Sequence, residues 1–239
     1  MAVFDLKHAT IYLEDGSAAT SKINHTAGYT SGASSIVIDT LVPSGFEVEV
    51  GQEFTISGDT TVYTVTSKSP SSGATTTVGF TPVLASSAAD NADITFGPRR
   101  LEVGVGEGNF SYDEAKNREY ILDRGAIDTV RDGDEAPIDV TLDFKWEYIT
   151  GPANGTPTVE DVLKKTGQAA NWTSSASDAC EPYAVDIRIV YDPGCGADGL
   201  EEILLPDFRY EKLSHNARDG QVSCTGKCNA LEAVATRSS

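Results

Sequence analysis

Histidine, methionine and tryptophan are scarce in this chain: three, one and two in 239 residues. The histidines are His8, His25 and His215, far apart in the sequence. None falls in a Gly-x-Ser-x-Gly elbow or a His-Glu-x-x-His pair, so neither nucleophile–base nor zinc-protease chemistry has a legible seat. The expectation is a protein that is not an enzyme and needs no cofactor. A single Met excludes Met-filled packing between helices. Cations are also few, with Lys and Arg totalling 18 against 36 acidic residues, for a net charge of -18. That balance argues against a phosphate-binding surface, which would need a basic patch; it favours solubility and repels polyanions. No apolar run nears the length of a membrane span. The first twenty residues lack a basic start, an apolar stretch and a cleavage site, which predicts cytosolic synthesis without a secretory leader.

Cysteine is confined to the last quarter of the chain: Cys180, Cys195, Cys224 and Cys228. Cys224 and Cys228 have tolerable spacing for a zinc knuckle, with Cys180 and Cys195 or His215 completing it. On a strand, residues four apart share a face but stand about 13 Å apart, so a chelate would need a turn at Thr225-Gly226-Lys227. A disulfide and free thiols are the alternatives, and cytosolic synthesis favours thiols. Asp132, Asp134 and Glu135 lack the spaced ligand ladder of a calcium loop. Gly104, Gly106 and Gly108 lack the gap and following helix of a dinucleotide loop, so they predict a bend.

The chain is rich in Gly, Thr and Ser, which favours strands and turns. The most informative stretch is "PIDVTLDFKWEY", Pro137 to Tyr148. Ile138, Val140, Leu142, Phe144 and Trp146 alternate with Asp139, Thr141, Asp143, Lys145 and Glu147. A period of two predicts a strand of roughly 40 Å with one dry face and one wet, acidic face. A second alternating strand is predicted over Tyr183 to Tyr191, then strands at 200–205, 208–213 and in "QVSCTGKC" and "NALEAVAT". Residues 156–166, "TPTVEDVLKKT", predict the one strong helix, capped by Thr156, with Val159, Val162 and Leu163 on a face that lies on a sheet.

From about 24 to 98 the composition shifts to Thr, Ser, Gly and Val, with Lys68 its only cation. Short strands near 35–40, 46–50, 53–57, 61–67 and 75–81 predict a compact all-β barrel or sandwich module, with Phe54, Ile56, Val62 and Phe80 in its core. The expected organisation is a main domain of residues 1–23 and 99–239 with the 24–98 module inserted. Between them "REYILD" and "AIDTV" read as strand, and "RDGDEA" (131–136) as a charged loop.

Three stretches resemble the major tail tube protein of long, non-contractile phage tails: "NREYILDRGAIDTVRDGDEAPIDVTLDFKWEYI", "TPTVEDVLKK" and "LPDFRYEKLSHNARDGQVSCTGKCNA". Together they cover residues 99–230 and the first strand. The resemblance implies a mainly β, sandwich- or barrel-forming domain with one packed helix, the inserted module being a departure from the minimal tube protein. It implies a virion protein, assembled in the host cytoplasm, whose subunits form six-membered rings. The rings stack into a tube through which DNA passes without specific binding. The implied partners are further copies and the tape measure, terminator and distal tail proteins, with no membrane. On this expectation Asp139, Thr141, Asp143, Lys145 and Glu147 face an acidic channel. Arg124, Arg131, Asp132, Asp134 and Glu135 make subunit or ring contacts. The rival readings are a polar face in bulk solvent, a tail terminator or capsid decoration protein, and a glycan-binding module using Trp172 and Tyr29 as sugar platforms.

Overall fold

In the computed structural model, residues 8–39, 41–44, 46–69, 75–105, 109–146, 157–192 and 200–237 are described. The fold is mainly β, with antiparallel sheets, one α-helix and one nearly closed barrel-like sheet. The chain divides into two compact units, Met1–Leu13 with Glu102–Thr150 and Ser175–Ser239, and Glu14–Leu101 with Gly151–Ser174.

The second unit is built on a six-stranded sheet. Its strands are β2 (Ala19–Lys22), β3 (Ser35–Ile38), β4 (Glu53–Ile56), β5 (Tyr63–Lys68), β6 (Thr76–Thr81) and β7 (Asp93–Phe96). They lie in the order β2-β7-β4-β5-β6-β3. A bridge between Ile23 and Ile38 brings β3 back to the end of β2, so the sheet almost closes and leaves little edge exposed. The interior holds Ile23, Ile36, Ile38, Phe54, Tyr63, Phe80 and Phe96. Phe54 sits at its centre, with ring centroids of Tyr63, Phe80 and Phe96 within 5.4 Å. Residues 46–50 form no strand, although Phe46 and Val48 are buried. Val62, expected in the core, is 49% exposed because it precedes β5 instead of alternating within it.

Two corrections to the expected boundaries follow from hydrogen bonds. β2 pairs with β7, so residues before 24 already belong to the smaller sheet. Residues 171–173 are tied to the same unit through Asp15 and Arg99, both buried. Asp15 accepts from the backbone N–H groups of Ser17, Arg99 and Thr173. The Arg99 guanidinium donates to Asp15 Oδ2 at 3.5 Å and to the Asn171 carbonyl at 2.7 Å, and lies 4.2 Å over the Phe46 ring. Glu49 stands 4.0 Å from Arg99 Nε and accepts from Trp172 Nε1. Burial pushes the Glu49 carboxyl up, and Arg99 partly offsets this.

The helix α1 (Val159–Lys164) also falls in this unit, not with the larger sheet as expected. Val159, Val162 and Leu163 are buried, in line with their shared face. Its cap is Thr158. The Thr158 side chain accepts from the Asp161 N–H and the Asp161 side chain accepts from the Thr158 N–H, a reciprocal capping box. Thr156 lies outside the described residues.

The first unit is built on an eight-stranded sheet. Its strands are β1 (Ala9–Glu14), β8 (Arg100–Glu102), β9 (Phe110–Asp113), β12 (Ile138–Lys145), β13 (Val185–Tyr191), β14 (Glu201–Asn216), β15 (Gln221–Cys228) and β16 (Val234–Arg237). The order is β8-β1-β13-β14-β15-β12-β9, with β16 pairing β14. β14 is one long strand where two were expected. Its first half is flanked by β13 and β16, and its second half pairs with β15. The remaining strands, β10 (Lys116–Asp123) and β11 (Ala126–Glu135), form a separate two-stranded sheet.

Two stability outcomes follow. Asp15→Ala leaves the Arg99 guanidinium buried without its carboxylate and should cost about 3–5 kcal/mol, read as a lowered thermal midpoint. Asp59 accepts from the Tyr63 hydroxyl, the Thr61 N–H and the Ser86 hydroxyl, and the Tyr63 bond above all holds its carboxyl far below the usual range. Its folded-state pKa is depressed, so its stabilisation is present at neutral pH and is lost as pH falls below the unfolded carboxylate value of about 3.9. Asp59→Asn should lower the neutral melting temperature and flatten the acid limb of the stability–pH curve.

Candidate assembly surface

The larger sheet is amphipathic for the reason legible in β12. Ile138, Val140, Leu142 and Phe144 are buried, at most 2% exposed, while Asp139, Thr141, Asp143 and Lys145 point the other way. Their partners on β15 repeat the pattern, with Val222, Cys224 and Cys228 buried opposite Phe144, Leu142 and Ile138. Gly226 completes this buried row because a Cβ there would meet the Arg209 carbonyl at 2.2 Å and the Phe208 ring at 2.7 Å.

Trp146 breaks the expectation. It lies one residue past β12 and is 45% exposed. β15 begins at Gln221 opposite Lys145, so no strand residue lies across from Trp146. Its N–H donates to the Gly220 carbonyl, and its ring leans on His215 at 5.1 Å. Glu147 lies outside the described residues.

The polar face is not acidic, in contrast to the expectation from β12 alone. Register places Asp139 beside Asp113 on β9 and Lys227 on β15, with Arg209 of β14 beyond Lys227. The next row is Ser111, Thr141, Thr225 and Lys212. Asp143 faces Ser223 and Ser214, and Lys145 faces Gln221 and Asn216. Lys145, Lys212, Arg209 and Lys227 therefore stand on the same face as Asp113, Asp139 and Asp143. Asp139 accepts from Lys227 at 2.9 Å, and that hydrogen bond holds the ammonium's pKa above its ordinary value.

The second surface is an arm. β9 and β12 pair within the sheet, and their continuations β10 and β11 pair beyond it. The two ladders are separated at Glu114-Ala115 and Ala136-Pro137, where Pro137 has no N–H to donate. Arg124 (φ 49) and Gly125 (φ 85) form the tip, both left-handed as a two-residue hairpin turn of matching twist requires. The turn sets Asp123 opposite Ala126, and pairing then runs down to Lys116 opposite Glu135. Hence "RDGDEA" is not the expected loop; residues 131–135 are the root half of β11. A Cβ at Gly133 would meet Asn117 at 3.2 Å, beside the register shift between Lys116 and Arg118.

Nearly every arm residue is exposed, including Arg124, Arg131, Asp132, Asp134 and Glu135. Arg118 pairs with Asp132 across the strands, and Glu119 lies opposite Arg131. One face carries an apolar stripe: Tyr120 opposite Val130 and Leu122 opposite Ile127, between 49% and 65% exposed. Sequence reasoning noted the charges and missed the stripe, although Tyr120 and Leu122 two apart were the available signal.

The other candidates fare differently. Cys224 and Cys228 lie on one uninterrupted strand with no turn between them, so they cannot close on one metal ion. Both thiols are buried and pushed up to about 12, chiefly by burial. Cys180 is exposed, and Cys195 lies outside the described residues. Trp172 is buried and offers no sugar platform. Tyr29 is half-buried, its hydroxyl accepting from the Val37 N–H. Comparison with protein-family models, curated proteins and solved structures returned no match.

The thiolate is the reactive species, so an alkylating reagent at pH 8 should modify Cys180 well before Cys224 and Cys228. Peptide mass spectrometry should show the latter two reacting only on unfolding; fast native labelling of either would contradict their burial.

Proposed function

We propose that this protein is a structural subunit that assembles with copies of itself into rings stacked as a tube, in the manner of a phage tail tube. The observation that carries the reading is the arm. Among the described residues no second layer covers the ribbon's apolar stripe, and two-stranded ribbons are at best marginally stable alone. An exposed stripe of two aromatic or aliphatic pairs on a projecting ribbon is therefore a surface for a partner. Arg124, Arg131, Asp132, Asp134 and Glu135 surround it with both signs of charge, suited to fixing register between copies.

In this reading the eight-stranded sheet supplies the wall. Its polar face carries Asp139, Thr141, Asp143 and Lys145 among charges of both signs on β15, β14 and β9. A lining in which carboxylates are interspersed with the cations offers phosphate no continuous basic patch, so DNA would pass without specific contact. The remaining acidic excess then keeps the free subunit soluble. The role is structural rather than catalytic, the setting a virion, and the further partners other tail proteins.

Negative-stain microscopy of the purified chain should show rings or tubes. Leu122→Asp with Ile127→Asp should abolish them and leave a folded monomer by circular dichroism. Tubes from that variant, or a monomeric wild type under all conditions, would refute the reading. Asp139→Lys with Asp143→Lys turns the polar face basic, and particles carrying it should have normal tails and slower genome release.

A further inference from the structure

The arm has two ends of different chemistry. The tip places Arg124, exposed, past the Asp123–Ala126 pair that follows Leu122 and Ile127, which are 60% and 65% exposed. Arg124 occupies a left-handed position that Gly or Asn fills most readily, so a cation is kept there against local preference. At the root lies a cavity of about 310 Å³ between the strand ends and residues 231–232. Its lining includes Lys116, Arg118, Asp132, Asp134, Glu135 and Glu232. Lys116 is paired with Glu232, and Arg118 with Asp132. These pairs leave Asp134 and Glu135 without an ion-pair partner among the described residues, so the cavity is acidic. Leu231 also lines it and is 45% exposed, with Val234 close by in sequence at 53%.

The tip and the root cavity are thus complementary: a guanidinium in the turn beyond an apolar pair, against two carboxylates beside an exposed leucine. They cannot meet within one chain, because β11 is ten residues long and holds them roughly 30 Å apart. We propose that the arm tip of one copy seats in the arm-root cavity of a second copy, Arg124 on Asp134 and Glu135 and Leu122 with Ile127 against Leu231. Tip and cavity are different surfaces, so the contact is heterologous. Each copy uses its tip on one neighbour and its cavity on another, which propagates into a closed ring or an open stack. This assignment rests on the homo-oligomer reading above and names the surface that receives the arm.

Charge reversal tests it. Assembly is followed by sedimentation velocity and light scattering over a concentration series. Arg124→Glu should raise the concentration needed for assembly by about tenfold or more, and Asp134→Lys with Glu135→Lys should do the same. Combining all three changes in one chain should restore most of the loss. Circular dichroism melts confirm that each variant is folded. If Arg124→Glu assembles at the wild-type concentration, or the combined variant is no better than its parents, the tip-to-root contact is wrong while the homo-oligomer reading stands. A wild-type chain that stays monomeric throughout overturns both.

Discussion

Backbone pairing across β12 is the constraint on which the larger unit depends. Its eight residues contact β15 on one side, residue for residue, and β9 on the other over four. Because side chains alternate, that pairing places every second residue of three strands on the same dry face. A slip of one residue would put Asp139 and Asp143 where Val140 and Phe144 now sit, against Gly226 and Val222. The burial of four consecutive alternate positions therefore fixes the register of the sheet and, with it, where the arm leaves.

The arm is a consequence of the same pairing continued past its support. β9 and β12 are held by the sheet, and beyond Asp113 and Pro137 their extensions pair with each other as β10 and β11. At the root, the Ala233 N–H donates to Glu114, and Lys116 reaches Glu232, so the segment before β16 braces the departure. The Lys116 hydrogen bond draws the Glu232 carboxyl down from its ordinary range. Farther out no residue among those described is bonded to the ribbon from outside it, and that part carries Tyr120, Leu122, Ile127 and Val130. The geometry separates a supported root from an unsupported apolar end, which is the arrangement expected of a segment that gains its second layer from another molecule.

What was legible in the sequence followed local periodicity. The alternation in β12 and β13 and the buried helix face of Val159, Val162 and Leu163 each act within a few residues, whereas the cap expected at Thr156 is Thr158. The errors came where a distant residue decides. Trp146 continues the alternation perfectly, yet its strand partner has ended. The loop expected at "RDGDEA" is strand because Arg124 and Gly125 turn the chain and bring Lys116–Asp123 alongside. The helix keeps its buried face but belongs to the smaller unit, since Asp15 and Arg99 tie residues 171–173 there across most of the chain length.

Charge shows the same division between local and distant information. A net charge of -18 is a property of the whole chain and does not say which surface is acidic. Asp139 and Asp143 are carboxylates on β12, but β15 and β14 bring Lys227, Arg209 and Lys212 onto the same face. Counting along one strand overstated the field because neighbours in space are not neighbours in sequence. The converse holds at the arm root. There the local sequence "DGDE" reads as one acidic run, while Arg118 takes Asp132 and leaves Asp134 and Glu135 to act together. Which carboxylates are available to a partner is thus set by strand register, and register is set by the apolar residues between them.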